Sequence, residues 1–165
     1  MFGFLAKLQR AIFVERRANR SAGQRDVLAE RLVAGDNLIL FPEGTSNDGN
    51  RVLPFISALF SLAERPLDGG ALTVQPVSIA YSKLGGMPMM RHMRPLFAWH
   101  GDMELAGHLW TLLGTGDITV VIEFHPPVTM DAFETRKALA SHCHRVIAGG
   151  VSAALDGVAP GVAAS

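Results

Sequence analysis

The stretch that most constrains the fold is Asn37–Phe55, which reads NLILFPEGTSNDGNRVLPF. Its apolar run Leu38–Phe41 has the length and composition of a buried strand, and the run stops at Pro42, which cannot donate to a ladder. A carboxylate, a glycine, two hydroxyls and an arginine follow closely. Because open α/β sheets bind ligands in loops after their strands, the stretch predicts a strand that ends in a binding loop.

The sequence before this stretch predicts a second strand, joined to the first by a helix. Ala11–Val14 reads as a short buried strand, and a capped, amphipathic helix separates it from Leu38–Phe41. This crossover is long enough for parallel pairing. The carboxyl ends of parallel strands lie on one sheet edge, so Arg16 and Glu43 are expected to share a crevice there.

The rest of the chain continues the mixture of helices and strands. A proline at position 76 predicts a bulge or an edge in the third strand, because proline has no N–H to donate. The further expected elements are a helix over Ile56–Glu64, a strand over Leu72–Tyr81, a helix over Glu104–Leu113, a strand over Ile118–Phe124, and a helix from a capping box at Asp131 and Glu134 to about Ala148. Together they predict an α/β fold with a mostly parallel central sheet flanked by helices.

Composition narrows the classes of protein that remain. The 165 residues suit one domain, and 15 basic against 15 acidic side chains argue against nucleic acid as a partner. The single cysteine, Cys143, excludes an internal disulfide. His142 and His144 flank it, but consecutive helical residues point in different directions, so no metal site is expected.

Three stretches carry a resemblance to a known family: AIFVERR at 11–17, FPEGTSNDG at 41–49 and VQPVSI at 74–79. In this order they resemble the motifs of the glycerolipid acyltransferases, specifically the 1-acylglycerol-3-phosphate (lysophosphatidic acid) acyltransferases. The resemblance covers roughly residues 1–150 and implies a glycerol-3-phosphate acyltransferase-like fold. Residues 1–150 would then be the carboxyl-terminal part of an acyltransferase domain, and 151–165 a disordered tail.

The resemblance implies transfer of a fatty acyl group from a thioester to the free hydroxyl of 1-acylglycerol-3-phosphate, which makes phosphatidic acid. The donor would be acyl-CoA or acyl carrier protein, with no other cofactor. The implied partners are the lysophospholipid acceptor and a membrane surface, on the cytoplasmic face of the inner or plasma membrane. The phosphate would be held by Arg16, Glu43, Gly44, Thr45 and Arg51.

Each of these site residues also has a purely structural interpretation. Arg16 would otherwise be a surface cation beside Arg17, and Arg51 would be solvated; the parallel-strand argument favours function for Arg16. Because a carboxylate repels phosphate, Glu43 would orient Arg16, or accept from a glycerol hydroxyl or from backbone donors. Gly44 also suits a plain turn, and Thr45 suits satisfaction of loop backbone groups.

The sequence departs from the family pattern at the catalytic base. The family carries His, four residues and Asp upstream of its arginine motif, but none of the six histidines here has Asp five positions later. No catalytic residue is therefore identified, and Glu43 is the fallback. The expectation is an N-terminally incomplete domain of weak or no activity that exposes apolar surface. Ile56 also stands where the family often has lysine.

Two other functions stay open. The chain would suit a non-catalytic module that binds a phospholipid headgroup, or an acyltransferase that acts on a lyso-aminolipid. An α/β-hydrolase is excluded because the sequence contains no G-x-S-x-G.

Overall fold

The computed structural model describes residues 28–64, 70–98 and 104–158. The chain divides into two units, Met1–Ile39 and Leu40–Ser165. In the first unit, residues 28–33 are helical and a turn follows, in which Gly35 has φ 85° and donates to the Leu32 carbonyl at 3.0 Å. The predicted glycine stop of this helix is confirmed. Arg16 and the predicted strand Ala11–Val14 lie outside the described residues.

The second unit contains short strands and longer helices, and it confirms the α/β class. Its strands are β1 (Thr73–Val74), β2 (Val77–Leu84), β3 (Met87–Pro88), β4 (Ile118–Phe124) and β5 (Val128–Thr129). Its α-helices are α1 (Leu105–Leu113) and α2 (Arg136–Leu155), and its 3-10 helices are Ser57–Glu64, Arg94–Leu96 and Met130–Ala132.

The strands of the described ranges pair only in antiparallel fashion. One sheet has the order β3-β2-β4 and the other is β1-β5. The expectation of a mostly parallel sheet is therefore not met in this part of the chain. Although β3 and α1 lie between them in the sequence, β2 and β4 pair in antiparallel fashion along nearly their whole length, from Val77 opposite Phe124 to Leu84 opposite Ile118.

The predicted strand Leu38–Phe41 is wrong as an element. It belongs to neither sheet, and the side chain of Phe41 is 76% exposed. A strand requires a partner for its backbone groups, and the partner expected from the sequence, Ala11–Val14, lies outside the described residues. The structure therefore does not support Leu38–Phe41 as one strand of the predicted parallel pair.

Pro76 interrupts the predicted strand Leu72–Tyr81, as expected. The interruption separates β1 from β2 and sends them into different sheets. Pro76 has no N–H to donate, but its carbonyl accepts a hydrogen bond from the His125 backbone N–H at 3.0 Å. The proline therefore fixes the point where the chain leaves one sheet for the other.

Helix α2 begins and ends later than predicted. The side chain of Thr135, not Asp131, caps it by accepting from the Ala138 N–H at 3.1 Å. The backbone turns extended at Phe133 after a 3-10 turn, so a helix cannot run on from Asp131. α2 continues to Leu155, so residues 151–155 of the expected disordered tail are helical, and 159–165 lie outside the described residues.

The core of the second unit lies along α2. Its first half packs Leu139 and Cys143 against Phe60 of the 3-10 helix Ser57–Glu64. Its second half packs Val151 and Ala154 against Ala80 of β2. Burial of these side chains anchors α2 and makes it the frame for the loops described below. Within the described ranges, no helix combines the length and apolar character that crossing a bilayer requires.

Candidate functional site

The loop after Pro42 is organised by the carboxylate of Glu43. Its Oε2 accepts hydrogen bonds from the Leu53 backbone N–H at 3.0 Å and from the Asn47 side-chain amide at 2.6 Å. These bonds connect the start of the loop to its end. Glu43 is half-buried, and its Oε1 accepts no hydrogen bond from the described part of the chain. A single carboxylate oxygen thus holds the two ends of the loop together.

Gly44 sits where no other residue fits without strain. Its φ of 65° is in the left-handed region, and a Cβ added there would lie 2.5 Å from Cδ1 of Ile56. The N–H of Ile56 in turn donates to the Pro42 carbonyl at 2.8 Å. Gly44 is therefore a turn glycine that also lets the two ends of the loop pack closely. This turn conformation and close packing explain a glycine at position 44, and contact between Gly44 and a phosphate stays a prediction.

The middle of the loop is held by two side chains that mimic backbone turns. Oδ1 of Asn47 accepts from the Gly49 N–H at 2.7 Å, and Oδ1 of Asp48 accepts from the Asn50 N–H at 3.1 Å. Such turns fix a polar loop without strand partners. Thr45 is exposed, and its hydroxyl donates to the Ser46 carbonyl at 3.4 Å, as the backbone-satisfying interpretation requires.

Arg94 is the cation that contacts this loop, and sequence reasoning missed it. Its Nη1 donates to Oδ1 of Asn50 at 3.2 Å and its Nη2 to the Met89 carbonyl at 3.1 Å. Its Nε is buried without a hydrogen-bond partner among the described residues. Arg51, which the sequence singled out, is exposed and makes no bond within the described ranges. Arg94 stands in no motif, and only the following Pro95 marks the 3-10 helix it begins.

Leu96 of the same 3-10 helix lines a mostly apolar cavity. Its volume is about 460 Å³, within the roughly 300–1,000 Å³ of small-molecule sites. The lining residues are Leu84, Met93, Leu96, Phe97, Glu104, Gly107, His108, Thr111 and Thr115. Three of the lining residues, Met93, Leu96 and Phe97, belong to the Met-rich segment 87–97.

The cavity contains one buried histidine. His108 is 8% exposed, and its Nε2 has no hydrogen-bond partner within the described ranges. Glu104 precedes it by one helical turn and also lines the cavity. An unpaired nitrogen in apolar surroundings is costly unless a ligand satisfies it. Sequence reasoning missed this residue, since its only signal is its position on a helix that has no acidic residue, lysine or arginine.

The polar loop and the apolar cavity thus meet at Arg94–Leu96, and similar proteins handle lipids. The sequence model of the Acyltransferase family matches residues 1–80. This chain belongs to the glycerolipid acyltransferase family. It is 49% identical over 144 residues to the "Lyso-ornithine lipid O-acyltransferase" of Brucella abortus (strain 2308), an alignment that covers 85% of this chain and 54% of the relative.

Other acyltransferases of the family match more weakly. The "Lyso-ornithine lipid O-acyltransferase" of Rhizobium meliloti (strain 1021) is 40% identical over 85% of this chain and 49% of its own length. The "1-acyl-sn-glycerol-3-phosphate acyltransferase" of Neisseria gonorrhoeae is 29% identical over 68% of this chain and 41% of its own length. The chain therefore spans about half the length of these relatives. No solved structure matches it.

A second group of polar side chains in this acyltransferase-family chain looks catalytic but is closed to substrate. Nε2 of His125 lies 3.1 Å from Oγ of Ser78, and Oε1 of Glu123 lies 3.9 Å from Nδ1 of the histidine. The second distance is too long for a hydrogen bond. Ser78 and His125 are 3% and 8% exposed, and Gly150 of α2 lies directly against both. The pair therefore joins β2 to the end of β4 beneath α2.

Cys143 is buried, and its thiol is a poor nucleophile at neutral pH. Burial raises the pKa of its thiol from 9.0 to about 11, so the thiolate is scarce. It packs in the core against Phe60 and Leu139. The described ranges contain no group of histidine, cysteine and carboxylate side chains arranged to hold a metal ion.

Proposed function

We propose that this protein takes part in transfer of a fatty acyl group from an acyl thioester to the free hydroxyl of a lysolipid. The observation that carries the proposal is the junction at Arg94–Leu96, where the polar Glu43 loop and the apolar cavity share one 3-10 helix. A lysolipid has the same two parts, a polar headgroup and an acyl chain. The match to the Acyltransferase family and to its named members supports the same reaction.

The chemistry of this reaction sets what the site must do. The acceptor hydroxyl attacks the thioester carbonyl, the C–O bond forms, the C–S bond breaks, and the hydroxyl proton passes through a base to the leaving thiolate. The protein must hold the headgroup and the chain so that the hydroxyl meets the carbonyl. The loop and the cavity suit these two binding tasks, and Glu43 stays the fallback candidate for the base.

We propose a lyso-aminolipid of the lyso-ornithine type as the acceptor, ahead of lysophosphatidic acid. The relatives named for lyso-ornithine lipid are more similar to this chain than those named for 1-acylglycerol-3-phosphate. Charge points the same way. Glu43 and Arg51 belong to the same loop, and an amino-acid headgroup offers an ammonium to a carboxylate and a carboxylate to a guanidinium. A phosphate would meet repulsion from Glu43.

Binding to the two acceptors tests this choice. Short-chain lyso-ornithine lipid and lysophosphatidic acid, each below its micelle concentration, are titrated into the protein by calorimetry. Glu43→Gln keeps an acceptor for the Leu53 N–H and removes the charge. It should weaken lyso-ornithine lipid binding by about tenfold and leave or improve lysophosphatidic acid binding. Glu64→Gln, which removes an exposed carboxylate paired with Arg136, is the control.

A wrong choice of acceptor would show in the relative affinities of the two lipids and in their response to the variants. Tighter binding of lysophosphatidic acid, unaffected by Glu43→Gln, would restore it as the acceptor. Arg51→Gln should weaken both ligands, since each carries an anion that a guanidinium binds. If the parent and all variants bound each lipid with equal affinity, the loop would not be part of the binding site.

Turnover by this chain should be low, because no histidine in the sequence has the family's Asp spacing. Loss of a general base reduces rates by about 10²–10⁴-fold. Acyl-CoA and acyl carrier protein are the donors to compare, with the Brucella abortus relative as the active control. Ligand binding without turnover would favour the alternative of a headgroup-binding module. Both donors are cytoplasmic thioesters, and we accordingly place the protein at the cytoplasmic membrane face.

A further inference from the structure

The Glu43 loop, residues 42–53, is bound at its middle by a side chain from another part of the chain. The two side-chain turns described above stay within the loop, so they shape it but do not fix its place. Arg94 donates from outside, with its Nη1 bonded to Oδ1 of Asn50 across 44 residues of sequence. A hydrogen bond from a charged donor is stronger than a neutral one, so this bond is suited to fix the middle of the loop.

Arg94 is itself connected to the sheet. Its Nη2 donates to the carbonyl of Met89 at 3.1 Å, and the N–H of Met89 donates to the carbonyl of Ser82 in β2 at 2.8 Å. Met89 is 2% exposed, so this link is buried. A planar guanidinium holds two acceptors in one fixed geometry, which a flexible ammonium does not. Arg94 therefore connects Asn50 to β2 through one rigid group.

Close packing occurs at the neighbouring residue of the loop. Gly49 has φ 74°, and a Cβ added to it would lie 3.4 Å from Cβ of Ala98 and 3.9 Å from Cβ of Arg94. The loop backbone thus lies directly against the segment that carries Arg94. Packing at Gly49 and hydrogen bonding at Asn50 act together on the middle of the loop.

We propose that Arg94 is a positioning residue for headgroup binding: through Asn50 it holds the Glu43 loop in the shape that binds the headgroup, without contacting the ligand. Both of its terminal nitrogens bond to the protein and its Nε is buried, which favours this role over direct contact with an anion. A loop that spends less time in its binding shape binds its ligand more weakly. The effect on affinity rests on the proposed function, whereas the hold on the loop does not depend on it.

Hydrogen exchange of the ligand-free protein tests the hold on the loop. The N–H of Gly49, which donates to Oδ1 of Asn47, reports on the middle of the loop. Arg94→Gln should speed its exchange about tenfold, because loss of one charged hydrogen bond shifts a local opening equilibrium by about that factor. The amide of the buried Ala80 in β2 should exchange at the parent rate. Arg91→Gln, which changes an exposed arginine of the same segment, is the control and should leave both amides unchanged.

The calorimetric titrations with both lipids test the effect on affinity. Arg94→Gln and Asn50→Ala remove the same bond, so each should weaken lyso-ornithine lipid and lysophosphatidic acid alike, by roughly fivefold to tenfold. The double variant should bind about as weakly as either single variant, because the two changes break one contact. Asn50→Ala leaves the bond from Arg94 to Met89 intact, so it tests the role even if Arg94→Gln fails to fold.

Three results would overturn the proposal. The first is exchange at Gly49 that is unchanged in both variants, or that speeds up no more than at Ala80. The second is a double variant in which the two losses of affinity multiply. The third is parent affinity in Asn50→Ala with weak binding by Arg94→Gln, since Arg94 would then contact the ligand directly.

The proposed function and this inference can fail separately. If the parent binds neither lipid, the proposed acceptors are wrong, and exchange at Gly49 still decides whether Arg94 holds the loop. If the parent binds a lipid and neither Arg94→Gln nor Asn50→Ala changes its affinity, the acceptor stands and Arg94 has no positioning role.

Discussion

Two adjacent glycines in helix α2 offer a sharp test of the packing described above. Gly150 lies against β2 and β4, and a Cβ added to it would lie 2.6 Å from Oγ of Ser78 and 2.7 Å from Cε1 of His125. Gly149 is exposed, and a Cβ added to it meets nothing within 4 Å. Alanine at each position therefore makes the same chemical change in the same helix, with and without a clash.

The expected magnitudes differ in sign. Gly149→Ala should raise the free energy of unfolding by about 0.5–1 kcal/mol, since alanine favours a helix interior. Gly150→Ala gains the same preference, but its methyl group must push α2 from the sheet or break the 3.1 Å contact between Ser78 and His125. Overpacking costs roughly 1–3 kcal/mol, and an unpaired buried polar group roughly 1–3 more. A net loss of about 1–5 kcal/mol follows.

Urea unfolding followed by circular dichroism measures both variants and the parent. The two variants should differ in the free energy of unfolding by at least about 2 kcal/mol, at unchanged slope against urea. A Gly150→Ala protein as stable as Gly149→Ala would show that α2 does not press on the Ser78–His125 pair. The proposal that this pair is structural and closed to substrate would then lose its basis.

Three further predictions address the loop, the helix cap and the cysteine. Gly44→Ala should lower the free energy of unfolding by about 1–2 kcal/mol from φ strain, and by more from the clash of its Cβ with Ile56. Ile56→Val removes the clashing Cδ1. In a double-mutant cycle measured by urea unfolding, it should recover the clash energy but not the φ strain. Thr135→Ala should cost about 1 kcal/mol by thermal unfolding, whereas Asp131→Ala should change stability by less than about 0.5 kcal/mol; the reverse order would restore the capping box predicted from the sequence. Burial raises the pKa of Cys143 from 9.0 to about 11, so the thiol ionises in the unfolded chain at a lower pH than in the folded protein. The free energy of unfolding of the parent should therefore fall from about pH 9 to about pH 11 relative to that of Cys143→Ala. A difference in stability between the two proteins that stays constant over this pH range would contradict the shift.

Local sequence signals located several elements correctly. The expected strand Ile118–Phe124 has the bounds of β4, and the expected helix Glu104–Leu113 begins one residue before α1. Pro76 breaks its strand as predicted, because a missing N–H acts wherever the proline lies. Glycine stops and prolines act through the backbone of their own residue, so they can be read from the sequence directly.

The functional family could also be recognised from the sequence, through its short motifs. One of the roles expected for Glu43 in FPEGT was to accept from backbone donors, and its carboxylate does accept from the Leu53 N–H, as well as from the Asn47 side chain. The motifs did not reveal the cavity, because its lining comes from β2, the Met-rich segment and α1. They also left the acceptor open between two lipids whose enzymes share the family.

The pairing of strands and the contacts of single side chains were decided only by the tertiary structure. Arg94, rather than Arg51, contacts the loop through Asn50, which is 44 residues away in sequence, and His125 meets Ser78 across 47 residues. The antiparallel pairing of β2 with β4 likewise joins distant segments. Propensity, capping patterns and periodicity depend on neighbours a few residues apart, whereas burial and hydrogen bonding are satisfied by whichever distant groups the packed chain brings together.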